Sequence, residues 1–268
     1  MKNFFTRAFR YIKKKFKNKD KEEIFLINKE NKSSLEFAES KIEKYYIIEQ
    51  FLSEIKFTDW SLSKSSIRYF LSYILENNSN NKKINIIEFG SGASTLFFDK
   101  IYSIYNFKYF SLEHDQLWFN KLKKKLKNTN IINCDIKLLS DSEFNDIFNF
   151  KDYEAINKFE KYGKLCDKND YRNTSIRNTF YALSKDFINN LPNFSGIILD
   201  GPHGNGRSLV FPLFYKLINN GTVILIDDYT HYPYLDYLKK IFDFDVLISS
   251  ITKNKKWIIV KIKNKSLK

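Results

Sequence analysis

From residue 84 onward, short apolar runs alternate with helical stretches, a pattern that predicts an α/β fold built on a mostly parallel sheet. Three observations carry this expectation. The run Ile84-Asn85-Ile86-Ile87 ends in Glu88 and passes at once into a turn holding Gly90 and Gly92. Seven strand-like runs follow one another, and helices of crossover length separate most of them. The last two are joined only by a Lys-Asn-Lys turn, so the final strand must run antiparallel to its neighbour. The expected architecture is therefore a seven-stranded, mostly parallel sheet with an antiparallel last strand, preceded by a helical N-terminal extension.

The elements fall in order. Residues 3–19 place Phe5, Phe9, Ile12 and Phe16 at helical spacing among Arg7, Arg10, Lys13, Lys14 and Lys17, which describes a basic amphipathic helix suited to an anionic membrane surface. Residues 20–34 are polar and read as a linker, so 1–34 form one segment. Residues 35–83 are expected to form a helical cap over the strand ends. Its second helix, 63–76, carries Ile67, Phe70, Leu71 and Ile74 at i, i+3, i+4 and i+7. Residues 84–268 make the main domain. Strands are expected at 84–88, 108–112, 136–139, 196–199, 222–226, 244–249 and 257–262, with helices at 116–126, 207–218 and 234–242. The interval 140–191 is too long for an ordinary connection and reads as an insertion. Its Tyr153, Phe159, Tyr162, Tyr171, Arg172, Arg177 and Tyr181 suit either a lid that recognises a sugar or a structural insert with its own small core.

Bulk properties narrow the function. The chain has 268 residues, 43% of them hydrophobic, and no run near the roughly 18 apolar residues that span a bilayer. No secretory pattern opens it. Two cysteines, Cys134 and Cys166, make neither a disulfide framework nor a zinc site. A cytoplasmic location is expected, with peripheral membrane contact through residues 3–19. The net charge of +14 hints at nucleic acid, yet residues 1–19 hold eight Lys or Arg and no acid, which is more than half of it. The remaining chain is only mildly basic, so nucleic acid is not the favoured partner.

Ligands of parallel α/β sheets bind at the carboxyl ends of the strands, near the point where strand order reverses. Here those ends carry Glu88, Glu113, Asp200, Asp227 and Asp228. The turn reads Gly-x-Gly-x-Ser, without the third glycine of a dinucleotide fingerprint and without the Lys-Ser/Thr of a phosphate-gripping loop. Glu113 stands where an acid accepts two ribose hydroxyls. An adenosine-bearing cofactor lacking a pyrophosphate is the consequence.

Four stretches carry a resemblance: Ile-Ile-Glu-Phe-Gly-Ser-Gly-Ala-Ser-Thr, Ser-Leu-Glu-His-Asp, Ile-Leu-Asp-Gly-Pro and Gly-Thr-Val-Ile-Leu-Ile-Asp-Asp-Tyr. In this order they resemble the motifs of class I S-adenosylmethionine (SAM)-dependent methyltransferases, over residues 84–262. The resemblance implies a Rossmann-like domain in which Glu88, Gly90, Gly92 and Ser94 line the methionine of SAM and Glu113 holds its ribose. It also implies an adenine contact after the third strand, near Ser140 and Asp141. Asp200 with Asp227-Asp228 is similar to the pattern of metal-dependent O-methyltransferases, including sugar- and polysaccharide-modifying members. Three such carboxylates would hold Mg²⁺ or Mn²⁺ and lower the pKa of an acceptor hydroxyl. His203 and His231, each three residues beyond one of these acids, are the candidates to take its proton, while His114 would shape the cofactor pocket. The expected activity is O-methylation of a sugar hydroxyl in glycan biosynthesis. Two other readings stay open: a nucleic-acid methyltransferase, and a SAM-fold scaffold without catalysis. Against the former, Asp200-Gly201-Pro202-His203 lacks the aromatic residue that clamps a flipped base.

Overall fold

The computed structural model describes residues 24–25, 42–77, 83–102, 104–105, 107–167, 178–252 and 255–265. The basic segment 3–19, the linker 20–34 apart from Ile24–Phe25, and Tyr171, Arg172 and Arg177 lie outside the described residues. In chain order the strands are β1 (Ile24–Phe25), β2 (Ile84–Phe89), β3 (Phe107–Glu113), β4 (Asn130–Asn133), β5 (Ile136–Leu138), β6 (Lys164–Leu165), β7 (Thr179–Tyr181), β8 (Phe194–Leu199), β9 (Ile218–Asp227), β10 (Phe242–Ile251) and β11 (Lys256–Lys265). The helices are α1 (Ile42–Glu54), α2 (Lys64–Asn77), α3 (Ala93–Ile101), α4 (Gln116–Lys123), α5 (Asp141–Ile147), α6 (Tyr153–Lys161), α7 (Lys185–Asn189), α8 (Val210–Leu213) and α9 (Tyr234–Ile241), with a 3₁₀ turn at Asn205–Leu209.

The main sheet has the order β1-β10-β11-β9-β8-β2-β3-β4. Strands β4, β3, β2, β8 and β9 pair in parallel, and β11 lies antiparallel between β9 and β10. This is the expected seven-stranded, mostly parallel Rossmann-like sheet with a reversed last strand. A two-residue edge strand, β1, is added antiparallel to β10. The chain starts at β2, steps outward through β3 and β4, and returns to β8 on the other side of β2. The switch point therefore lies between β2 and β8.

Period-two alternation settles which strand residues face which layer. Ile87, Phe89, Leu112, Ile197, Leu199, Ile224 and Ile226 enter one buried cluster, and Ile86, Tyr109, Ile198, Val223 and Leu225 enter the other. Burying each such side chain contributes roughly 1.5–3 kcal/mol. Helices α2 and α3 cover the second face. Ile67, Phe70, Leu71 and Ile74 of α2 are fully buried there, so this helix is a layer of the fold. The expectation of a cap over the strand ends gives way to that packing.

Three local expectations also change. The third parallel strand is β4, and Ile136–Leu138 instead joins a separate antiparallel sheet of order β6-β5-β7. Strand β4 is an edge strand with no fully buried residue, and its Asn-Ile-Ile-Asn sequence holds too short an apolar run to stand out. The expected helix 207–218 is a 3₁₀ turn plus the single turn α8. Pro212 lacks an N–H for the helical ladder, and its carbonyl accepts from Asp152 N (2.9 Å). Within 140–191, Phe144, Ile156, Phe159, Phe180 and Tyr181 are all buried against Phe89, Leu112 and Leu199. The described part of the insertion supplies the missing layer on the first face. Phe159 and Tyr181 thus serve the core, Tyr162 donates its hydroxyl to Asp146 (2.6 Å), and Tyr153 is the exposed one among the described aromatics of that set.

Candidate functional site

The turns after β2 and β8 meet at the switch point. Gly90 adopts φ +99°, and a Cβ there would lie 2.7 Å from Gly201 N, so no other residue fits. Backbone bonds lace the two turns together, Asp200 N and Gly201 N both donating to Phe89 O (2.9 and 2.5 Å), while Gly90 N ties the glycine turn to β3 by donating to Leu112 O (3.1 Å). Gly92 differs. A Cβ added there meets nothing within 4 Å, so the turn presents bare backbone to open space.

Two acids support this turn from below and from the side. Glu88 is fully buried, and Ser94 Oγ, Thr95 Oγ1 (2.5 Å) and Ser111 Oγ (2.7 Å) all donate to it. Burial raises its pKa and the hydroxyls pull it back. Glu88 and Ser94 thus bind each other beneath the turn. Glu113 is 4% exposed and gathers three backbone donors: Ser91 N (3.2 Å), His114 N and Asp115 N (2.8 Å each). Its pKa is likewise raised by burial against these bonds. One of the three ties the end of β3 to the glycine turn. Trp118, in the first turn of α4, completes the enclosure by donating Nε1–H to Ser91 O (2.9 Å). His114 packs at 6.2 Å from the Tyr181 ring, and burial lowers its pKa.

Sequence reasoning placed the adenine contact at Ser140 and Asp141. The structure puts Ser140 at the N-cap of α5 and Asp141 against Asn178 Nδ2 (2.6 Å). The segment that follows the third parallel strand is Asn133-Cys134-Asp135, where Cys134 N donates to Glu113 O (2.8 Å). The expectation at Ser140 followed from taking Ile136–Leu139 as the third parallel strand, which is β4 instead.

Across the switch point, Asp200 and Asp227 end neighbouring strands with their carboxyl groups in hydrogen-bond reach of each other. Burial pushes Asp200 up to about 6; Arg207 draws it back, and Glu88 adds to the rise. Burial first, then the charges of Asp200 and Asp228, push Asp227 up to about 8. Asp227 is 5% exposed, and its Oδ1 has no hydrogen-bond partner among the described residues. Asp228 diverges: its backbone sits at φ +51° and its half-exposed carboxylate lies 3.8 Å from His231 Nδ1. His203 is exposed, with Nε2 3.3 Å from Tyr232 Oη. Burial, Arg207 and His231 lower its pKa, and Asp228 opposes them.

The expected three-carboxylate metal set is not assembled. Among the described residues no three His, Cys, Asp or Glu side chains gather as a metal-binding group. What the sequence reading missed is Arg207. It is 5% exposed, and its Nε and Nη1 donate to Pro202 O (2.7 Å) and Asp227 O (3.2 Å). Burial opposes its charge, but Tyr234, Asp200, Asp227 and Asp228 together hold its pKa up. The available signal was a lone cation opening the apolar stretch Leu209-Val210-Phe211-Pro212-Leu213-Phe214. Lys255 adds a second cation within electrostatic reach of both acids, its Nζ donating to Asp59 O (2.6 Å) and Ser61 O.

No family model matches this sequence, and no curated protein matches it. Solved structures do resemble the fold. An O-methyltransferase from Bacillus cereus in complex with SAH has 11% identity over 85% of this chain and 96% of its own, with a TM-score of 0.43. The T. thermophilus 16S rRNA N2 G1207 methyltransferase, in complex with AdoMet and guanosine, has 13% identity over 74% of this chain and 43% of its own, at TM-score 0.42. Precorrin-6y C5,15-methyltransferase from Geobacter metallireducens GS-15 has 12% identity over 76% and 94%, at TM-score 0.41. At these identities and scores none of the three carries an argument about activity. No described helix is long and apolar enough to cross a membrane.

Proposed function

We propose that this protein is a SAM-dependent methyltransferase that methylates a hydroxyl group, with a sugar of a glycan or related metabolite as the acceptor. The supporting observation is the meeting of Gly90 and Gly201 at the switch point, which sets an open glycine turn beside a buried acid pair. The turn fits SAM: Gly92 leaves room for a ligand against the backbone, and Glu113 at the end of β3 keeps acceptor capacity beyond its three backbone donors. Gly90 and Gly92 would lie along the methionine. Glu88 and Ser94 would hold the turn's shape from beneath.

When bound, SAM supplies a methyl group on a sulfonium, transferred in line to a nucleophile. The chain's share is position and proton. Asp200 and Asp227 would accept hydrogen bonds from the acceptor and orient its hydroxyl oxygen toward the turn. His203, kept neutral by its lowered pKa, would take the hydroxyl proton as the new O–C bond forms. Tyr232 would fix its ring through the 3.3 Å contact to Nε2. His231, beside Asp228, would line the same mouth. No step is assigned to a divalent cation, because the carboxylates do not converge on one. A basic segment at residues 3–19 fits an acceptor assembled at an anionic surface.

Two measurements test the reading. Calorimetry should show SAM and its demethylated product binding the chain; failure of both to bind sinks the proposal. Labelled methyl should pass from SAM to a surface glycan fraction, and label arriving on RNA instead would favour the nucleic-acid reading.

A further inference from the structure

Asp227 is buried and Asp200 partly so, and the negative charge this pair carries needs compensation, because a charge left unpaired there costs several kcal/mol. A divalent cation is one solution. Here the third acid turns away toward His231, and the cation at hand is covalently part of the chain. Arg207 is buried to 5% exposure, and its guanidinium is bonded to a carbonyl on each of the two loops that carry the acids. One bond goes to Pro202 in the turn after β8 and the other to Asp227 at the end of β9.

The segment that carries Arg207 is held by two elements, β7 and α9. A Cβ on Gly206 would lie 1.9 Å from Thr179 O, so β7 presses directly on its backbone. Thr179 Oγ1 donates to His203 O (2.9 Å), and Tyr234 Oη donates to Gly204 O (3.0 Å). Little freedom remains for the arginine to leave. A planar guanidinium can also satisfy two carbonyls while still facing acids, which a lysine ammonium does with less directional fit.

We infer that Arg207 is the resident counter-cation of the acceptor site: a positioning residue that clips the β8 and β9 loops together and balances Asp200 and Asp227, so that the site works without a divalent metal. This rests on the reading of the acid pair as the acceptor-binding half of a methyltransferase.

The test compares the wild type, Arg207→Lys and Arg207→Met in the full chain. Mn²⁺ should produce no binding isotherm with the wild type, and exhaustive chelation should leave methyl transfer unchanged. Arg207→Met should lower transfer about 100-fold while SAM affinity stays within about threefold, and Arg207→Lys should recover at least about tenfold of that loss. Arg207→Met should also gain a Mn²⁺-induced rise in melting temperature, because the acid pair has lost its internal cation. A merely structural arginine would not produce that gain. Stoichiometric Mn²⁺ binding to the wild type, or loss of its transfer on chelation, overturns the inference, as does wild-type transfer by Arg207→Met. If Arg207→Met does not fold, the wild-type isotherm and the lysine variant decide. Failure of the wild type to bind SAM would overturn the methyltransferase reading instead, and the Mn²⁺ arms would still judge Arg207.

Discussion

The two halves of the site treat buried acids in opposite ways. On the glycine-turn side, Glu88 receives three hydroxyl donors and Glu113 receives three backbone N–H groups. On the other side, Asp227 keeps one oxygen without a hydrogen-bond partner among the described residues, and Asp200 follows the neighbouring strand close enough to raise its pKa. A carboxylate wholly enclosed by fixed donors, as Glu88 is, acts as a strut. A carboxylate left short of donors is costly until something arrives. On the proposed reading Glu88 holds a shape, Glu113 ties the turn while keeping a lone pair for the cofactor, and the aspartate pair receives the acceptor.

The sharpest way to separate the halves is His203→Gln. Loss of the proton acceptor should cut methyl transfer by about 100-fold or more while SAM affinity is unchanged. The wild-type pH–rate profile should fall on the acid side at a pH below His203's ordinary value of 6.5, and the variant should lack that limb. Equal loss of SAM binding would erase the division between halves.

Next comes Asp227→Asn, which acts on stability. The folded state keeps the Asp227 proton up to about 8, whereas the unfolded chain releases it near 3.8. Rising pH therefore draws the equilibrium toward the unfolded state throughout that window. Denaturant titrations of the wild type should lose a few kcal/mol between these pH values, and Asp227→Asn should flatten the drift. A wild-type stability that rises steadily from pH 5 to 8 would contradict the strained pair.

The smallest effect belongs to Glu88→Gln. Its amide would meet hydroxyl groups now offering donors, so about 1–3 kcal/mol of stability should be lost with no change in the pH profile of transfer. A shifted profile would move Glu88 from strut to participant.

Much of the fold was legible because alternation and length are local signals. Ile84–Phe89 and Phe194–Leu199 are buried on both faces and read as apolar runs. Strand β4 escaped because an edge strand keeps polar residues, and its misplacement carried the adenine contact to Ser140. The site was legible in the acids that end strands, since topology alone puts them together. Direction was not: Asp228 leaves the cluster through one backbone angle, and Arg207 enters it through a 3₁₀ turn that glycines permit. Neither fact has a sequence period.

The position of β11 bears on how the protein is made. This strand lies between β9 and β10, so β10 is joined to the sheet only through a segment synthesised after it. Lys255, just before β11, also reaches back to Asp59 and Ser61 in the loop before α2, almost two hundred residues earlier. On the ribosome, the parallel strands and their helices can form while β10 has only the two-residue strand β1 to pair with. A strand left mostly unpaired at that stage is a hazard for association with neighbouring nascent chains. The acid pair also stays without Lys255 until that late moment, so the competence of the site is timed to the emergence of the hairpin rather than to the glycine turn.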